Sequence, residues 1–515
     1  MRRVTRAGLL LLALALIAPA CLQRPAADPR VIVVSLTNGP NDLDPRMGTD
    51  DASQKLHQLI FDNFMEMDEH LRMVPKLAAS LEHPDPLTYV ATVRQGIRFH
   101  DGRELTAQDV VFTFGQFLDP AFISPRKGGY RELQSVEARD PFTVIFTLKQ
   151  PFSAFPINLM MPIVEKGAGP GLRDHPIGTG PYKFVRYAVD DRVELAANTD
   201  YWAGPPKNPG LLMKIVPDDV MRGLELQKGT MDIVVNDLAP DIVHQMRSDA
   251  GLQVVQAPGV DYQYIGLNLQ DPKLKDVRVR QALAFAIDRD AIVEHLRRGL
   301  AAPASGMLSP LSWAAASGIA SYPHDPERAR ALLEEAGFHD PDGNGPGARL
   351  TLTLKVSNSE FNRLQSSVIQ QDLRTVGIDL DVRTYEFATL YADVLSGNFQ
   401  LFTLQWTAGA LADPDILRRV FHSAQAPPAG FNRGRYSNPE VDALLDAAGD
   451  TEDLSRRLEL YAGVQRIIAR DVPYVSLWYK TNVAVARRDL TGVRLTPLAD
   501  LYFLKDVARL AAATN

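Results

Sequence analysis

The chain has 515 residues, 55 basic against 62 acidic side chains, a net charge of −7 and 45% hydrophobic residues. A mildly acidic balance disfavours nucleic acid as a partner, and the length sets a soft prior of about three domains with ample chain for large cores. The single cysteine excludes a disulfide within the chain.

The N-terminus reads "MRRVTRAGLLLLALALIAPACLQRP". Arg2, Arg3 and Arg6 precede an unbroken apolar run from Leu9 to Ile17, followed by small residues, which is the anatomy of a secretory signal. The run is about half the length of a membrane-crossing helix. "APAC" resembles a bacterial lipobox, with Ala18 where Leu is usual; the resemblance implies that Cys21 is lipidated and becomes the mature N-terminus. An ordinary signal peptide with an incidental cysteine is the alternative. Removing residues 1–20 takes three arginines and no acid, leaving a net charge near −10. Residues 21–30 read as a polar tether, lipidated at its first residue.

Strands and helices alternate along the rest. Val31 to Leu36 is a β-branched run read as a buried strand, and Asp51 to Met65 carries helical spacing. "YVATVRQGIRF" predicts strand, turn, strand. Thr106 and Asp109 make a capping-box variant at the head of "LTAQDVVFTFGQFL". "FTVIFTL" is a strand, and "IGTGPYKFVRY" is a glycine-rich turn into another, turned by Asp190 and Asp191 into "RVELAAN". Asp325-Pro326 opens a helix closed by Gly337. "RLTLTLKVS", a helix over 359–376 stopped by Gly377, "IDLDVRT", a helix over 386–396 ending at Gly397, and "FQLFTLQW" follow. Asn438-Pro439 caps a further helix, and residues 453–470 form a long amphipathic one. The rhythm predicts α/β layers with largely parallel pairing. No repeat or long linker separates domains, so they interleave.

Enzyme signatures are absent: no G-x-S-x-G, no H-E-x-x-H, no P-loop. The ten histidines are scattered, with no zinc ligand pattern. "DPDGNG" puts Asp340, Asp342, Asn344 and Gly345 in calcium-loop register, but position twelve is Thr351 where a bidentate Glu is required, so it reads as a polar turn. No cofactor or metal is implied.

Several long stretches, read together, carry a resemblance: "VPKLAASLEHPDPLTYVATVRQGIRFHDGRELTAQDVVFTF", "HPIGTGPYKFVRY", "NTDYWAG", "LNLQDPKLKDVRVRQALAFAIDRDAIV", "DPERARALLEEAGF" and "YSNPEVDALLDAA". In that order they resemble bacterial solute-binding protein family five, the dipeptide-, oligopeptide- and nickel-type receptors of ABC importers. Physically the blocks are turns, caps and packing faces, so the resemblance implies fold and broad role more than ligand. It implies an α/β, two-lobed periplasmic-binding-protein-like fold with a hinge and an extra inserted domain. Lobe I would be 31–54 with 190–262 and 487–515, the insert 55–189 and lobe II 263–486. The implied role is a receptor, lipid-anchored at the periplasm or cell surface, that delivers a small solute to an ABC permease and its ATPase. Peptides lead; a nickel–chelator complex or another polar metabolite is the alternative. An exported enzyme or a non-transport sensor on the same fold are the rivals from other classes.

Ligands of open α/β sheets bind beyond the carboxyl ends of strands. "FQLFTLQW" delivers Trp406 and Thr407 to such an end. The loop after the first strand carries Thr49 and Asp50, which match a ligand-facing stretch of the family. Tyr262 and Tyr264 alternate on a strand near the lobe boundary, and Asn432 and Arg433 lie in "GFNRGRYSNPE", a loop that faces the cleft in relatives. Each has a structural alternative: Trp406 as core, one tyrosine packed away, Asp50 as a helix cap, Arg433 solvated. His422 reads as a helix-end residue. Many peptide-binding relatives place an acid about three residues after the strand-end Trp, where it pairs with the peptide amine. Here that slot holds Gly409 or Ala410, so the amine anchor is expected to be missing unless Asp50 or Asp413 substitutes.

Overall fold

Capping chemistry sets the helix starts. In the computed structural model, which describes residues 28–510 apart from 344, 346, 408–410 and 412, a capping box between Thr106 and Asp109 opens the helix Ala107–Leu118. Asp325, Ser359 and Asn438 accept first-turn N–H groups of Pro326–Glu335, Glu360–Thr375 and Pro439–Asp450. Gly377 and Gly397 follow helix ends at φ +81°, a conformation that suits glycine. The helix expected from Asp51 to Met65 ends at Ile60. The Ile60 carbonyl accepts instead from Gly180 N at 2.9 Å, and the chain turns extended at Phe61.

Eleven strands form one mixed sheet. In chain order they are β1 (Ile32–Leu36), β2 (Tyr182–Ala188), β3 (Arg192–Ala197), β4 (Gly210–Ile215), β5 (Ile233–Val235), β6 (Leu252–Leu267), β7 (Ala301–Pro303), β8 (Leu350–Ser357), β9 (Ile378–Tyr385), β10 (Leu401–Trp406) and β11 (Tyr474–Arg487). Across the sheet the order is β9-β8-β10-β6-β11-β5-β1-β4-β3-β2, with β7 also on β11. The expectation of largely parallel pairing is corrected: only β1 with β4 and β5, and β8 with β9 and β10, run parallel. The central pair, β6 and β11, is antiparallel, as is β10 on β6. Tyr262 and Ser476, which share a hydrogen bond across that pair, are 214 residues apart, so the local strand–helix rhythm does not fix strand direction.

β6 and β11 join the two lobes. Residues 252–258 pair with 481–487, residues 262–266 pair with 474–479, and the register shifts between Pro258 and Tyr262. Beyond that shift β10 joins one end of the ribbon and β5 the other. The two ends carry separate cores, one around Ile32, Met213 and Ala486, the other around Leu267, Leu354 and Leu401. By this pairing residues 481–486, assigned to lobe II by the resemblance, lie on the lobe I side. Tyr182–Ala188, assigned to the insert, is an edge strand of the main sheet. The insert itself is a four-stranded antiparallel sheet within 78–148, closed by the helix Ala107–Leu118 over an aromatic core of Phe64, Phe114, Phe146 and Phe155.

The "GTGPY" block seats the insert on lobe I. A Cβ at Gly178 would stand 2.0 Å from the Ile60 carbonyl oxygen. Beside it, buried Asp62 accepts from Thr179 Oγ1 (3.0 Å), Tyr201 Oη (2.8 Å) and Trp202 Nε1 (3.0 Å), and Lys76 lies at 3.5 Å. These residues work as a structural junction.

Candidate ligand-binding cleft

A cavity of about 490 Å³ lies between the two halves of the sheet. Its lobe I wall includes Asn236, Leu238 and Val243; its lobe II wall includes Phe361, Tyr391, Trp406 and Arg433. The volume is typical of a small-molecule site.

Arg433 is set by its neighbour. Asn432 Nδ2 donates to the His422 and Tyr436 carbonyls at 3.1 and 2.7 Å, and its Oδ1 accepts from Tyr436 N at 2.9 Å. Asn432 thus locks the turn that carries Arg433 inward. The Arg433 guanidinium lies over Trp406 (5.0 Å), Tyr391 (5.3 Å) and Phe431 (5.5 Å). Nη1 donates to Tyr264 Oη at 3.1 Å and Nη2 to Tyr391 Oη at 3.3 Å. Besides burial, the groups acting on its charge are Tyr264, Tyr474 and Tyr391; no carboxylate is among them.

Trp406 ends β10 opposite Tyr262 and is 8% exposed. It borders the cavity, meets Phe431 edge-on at 5.3 Å, and its indole N–H is buried without a partner. The other sequence candidates lie elsewhere. Tyr264 is fully buried, stacked on Tyr474 at 4.1 Å, and reaches the cavity through Arg433. Tyr262 shares a 2.7 Å hydrogen bond with Ser476 and borders a second cavity of about 200 Å³ within lobe II. Asp50 caps the helix Asp51–Ile60, accepting from Ser53 N and Oγ at 3.0 and 2.6 Å. Thr49 and Thr407 are exposed and do not border the cleft. Asp413 accepts from Asp415 N and is not on the cavity wall, and Gly409 and Ala410 lie outside the described residues.

Arg297 and Lys480 were not legible as site residues. A π-helical turn over Ile292–Leu296 and a left-handed Arg298 (φ +53°) bring Arg297 inward, while Arg298 turns out to pair with Asp241 at 2.6 Å. The only hint in the sequence was Lys480 itself, a charge inside the apolar run of β11. Pairing of β7 with β11 through Ala301 and Lys480 brings the two together. Burial pulls the Arg297 pKa down to about 10, and it lowers that of Lys480, with Arg297 and Lys55 adding to the effect and Asp261 and Asp237 opposing it. Among the described residues no group of three metal-ligating side chains occurs.

Residues 72–428 match the family described as bacterial extracellular solute-binding proteins, family 5 Middle. The chain belongs to this family. The oligopeptide-binding protein AppA of Bacillus subtilis is 30% identical to this receptor over 494 residues, covering 92% of this chain and 90% of that one. The glutathione-binding protein GsiB of Escherichia coli O157:H7 is 30% identical over 511 residues, covering 96% and 97%. Among solved structures, AppA of Bacillus subtilis in complex with a nonapeptide superposes with TM-score 0.77 at 29% identity, covering 93% of this chain and 99% of that one. CtaP of Listeria monocytogenes superposes with TM-score 0.83 at 26% identity, covering 93% and 99%. The two-lobed periplasmic binding fold is therefore that of the receptor, and its family and relatives are binding proteins rather than enzymes. An extracytoplasmic location follows from the family, and no described helix is long and apolar enough to cross a membrane.

Proposed function

We propose that this receptor captures a short peptide in the cleft between its lobes and presents it to an ABC permease. The observation that carries the reading is the cavity itself: one wall comes from each lobe, and β6 and β11 form the connecting ribbon, so hinge closure encloses whatever binds. Trp406 and Arg433 form the lobe II wall, and the relatives' peptide and glutathione ligands support the class. No bond-making step is part of the function. The N-terminus, which lies outside the described residues, acts as a signal peptide cleaved before Cys21, and lipid on Cys21 holds the receptor at the membrane. A single acyl chain binds only marginally, so anchoring takes more than one.

Thermal unfolding with short peptides tests the reading. A peptide at about 100 times its Kd adds roughly 2.7 kcal/mol to stability. Trp406→Ala weakens binding at least tenfold while leaving a cooperative melt; an unfolded variant would make Trp406 plain core. Cys21→Ser loses membrane association in detergent partitioning; an unchanged, processed and lipidated species would refute the anchor.

A further inference from the structure

Six arginines are buried among the described residues. Arg222, Arg280 and Arg289 donate to backbone carbonyls, and Arg46 pairs with Asp44 at 2.6 Å. Those four are tied down by carbonyls or a carboxylate and do not border the cleft, although Arg46 also leaves one buried nitrogen, Nη1, without a partner. Arg297 and Arg433 differ. They are 6% and 5% exposed, both border the cleft, and each leaves a buried Nε without a partner. Aromatic rings cover them: Phe361 and Trp478, each at 5.1 Å, for Arg297, and Trp406, Tyr391 and Phe431 for Arg433. Rings stabilise a guanidinium only partly. A buried charge without a counter-charge is costly, and a carboxylate in bidentate contact is the partner that best relieves it.

Lys480 adds a third cation to the cavity lining. Its Nζ makes one long contact, 3.4 Å to the Asn236 carbonyl. The charged groups facing it are Asp261, Asp237, Arg297 and Lys55. Asp237 is already paired with Lys55 at 3.1 Å, and Asp261 accepts from Gln405 at 2.8 Å. Among the described residues the one carboxylate on the cavity border is Asp219, in the first turn of the helix Asp219–Lys228. The wall is therefore cationic in a chain whose overall charge is negative.

We propose that the cleft selects anionic ligands, namely short peptides with at least two carboxylates, one held by Arg433 beside Trp406 and one between Arg297 and Lys480. The proposal rests on the peptide-receptor reading and gives it a substrate class. The carboxylates take the place of an amine anchor as the source of orientation, because cations fixed at two points of the cavity lining define a direction for the bound chain.

Calorimetry at constant ionic strength on the full chain tests it with Ala-Glu-Ala, Ala-Gln-Ala, Ala-Lys-Ala and the non-peptide tricarballylate. Ala-Glu-Ala binds at least tenfold tighter than Ala-Gln-Ala, and Ala-Lys-Ala binds weakest. Arg297→Gln cuts the Glu-over-Gln ratio below threefold; Lys480→Gln, at a half-buried position, makes the same test if the first variant fails to fold. Arg433→Gln lowers the affinity for Ala-Glu-Ala at least tenfold. Equal binding of the Glu and Gln peptides overturns the charge selection and leaves the peptide reading standing. Binding of tricarballylate alone overturns the peptide reading and leaves the preference for carboxylates standing. Binding of none of the four overturns both. A ratio that survives in folded Arg297→Gln or Lys480→Gln removes that pair from the site.

Discussion

His57 shows how one buried residue ties the loop after β1 to pH. It lies 3.2 Å from the Asp42 carbonyl, and burial, helped by the charge of Arg126, pushes its pKa down to about 4. The unfolded chain takes up a proton near pH 6.5, whereas the native state does so only near 4. Its contribution is therefore full above pH 6.5 and is lost as pH falls through that window, by about 2–3 kcal/mol. Asp415, pushed up to about 7 by burial and by Asp413, runs the other way: it favours the native state at acid pH and loses this as pH rises from 3.8. Comparing His57→Gln with wild type cancels that shared term. Urea midpoints should show the gap between the two proteins narrowing by about 2–3 kcal/mol from pH 7.5 to pH 4.5; an unchanged gap would contradict the assignment. Residue roles of this kind were half legible. Asp50 before a helical pattern announced a cap, and the structure gives it one. Trp406 at a strand end pointed to the cleft. Thr49 was placed by its match to a ligand-facing stretch of the family and Thr407 by its position at a strand end; neither says where a side chain points, and both stand exposed away from the cavity.

Elements were read best where local chemistry decides them. Caps at Thr106, Asp325 and Asn438 and glycine stops at Gly377 and Gly397 all stand where the sequence placed them. Strand direction was misread, because the partners of β6 and β11 come from distant segments and no local pattern encodes them. The early end of the helix Asp51–Ile60 has the same origin: its last carbonyl is taken by a segment 120 residues away. That contact makes "GTGPY" testable. A Cβ at Gly180 would stand 2.6 Å from the Ile60 carbonyl carbon, and its three nearest neighbours are all backbone atoms of Leu59 and Ile60, with no flexible side chain to yield. Gly180→Ala should cost about 1–3 kcal/mol through overpacking, read as a lower urea midpoint. Retained stability would mean that the insert can move off lobe I without penalty.

At the scale of the whole molecule, the lobes, the insert and the family were legible because six long blocks recur in a fixed order. The cationic wall was not, since Arg297, Arg433 and Lys480 converge from three separate segments and only the fold juxtaposes them. The wall and the absence of an acid at Gly409 and Ala410 make a joint prediction about peptide termini. A desolvated ammonium needs a charged partner; neither Asp50 nor Asp413 borders the cavity, and Asp219, the one carboxylate on its border among the described residues, belongs to a lobe I helix and not to the strand end at Trp406. Acetylating the amine of a bound peptide should therefore change affinity by less than tenfold, or roughly 1.4 kcal/mol; calorimetry on matched peptides reads it, and a hundredfold loss would show that an amine anchor exists. The most direct test of the account is to identify what the native receptor carries. Mass spectrometry of the small molecules released on denaturing protein purified from its own host should show short peptides in near-stoichiometric amount, enriched in Asp and Glu. A metal chelate or another non-peptide solute in that amount would contradict the receptor's assignment to peptides, and peptides dominated by Lys and Arg would contradict the cleft's selection for carboxylates.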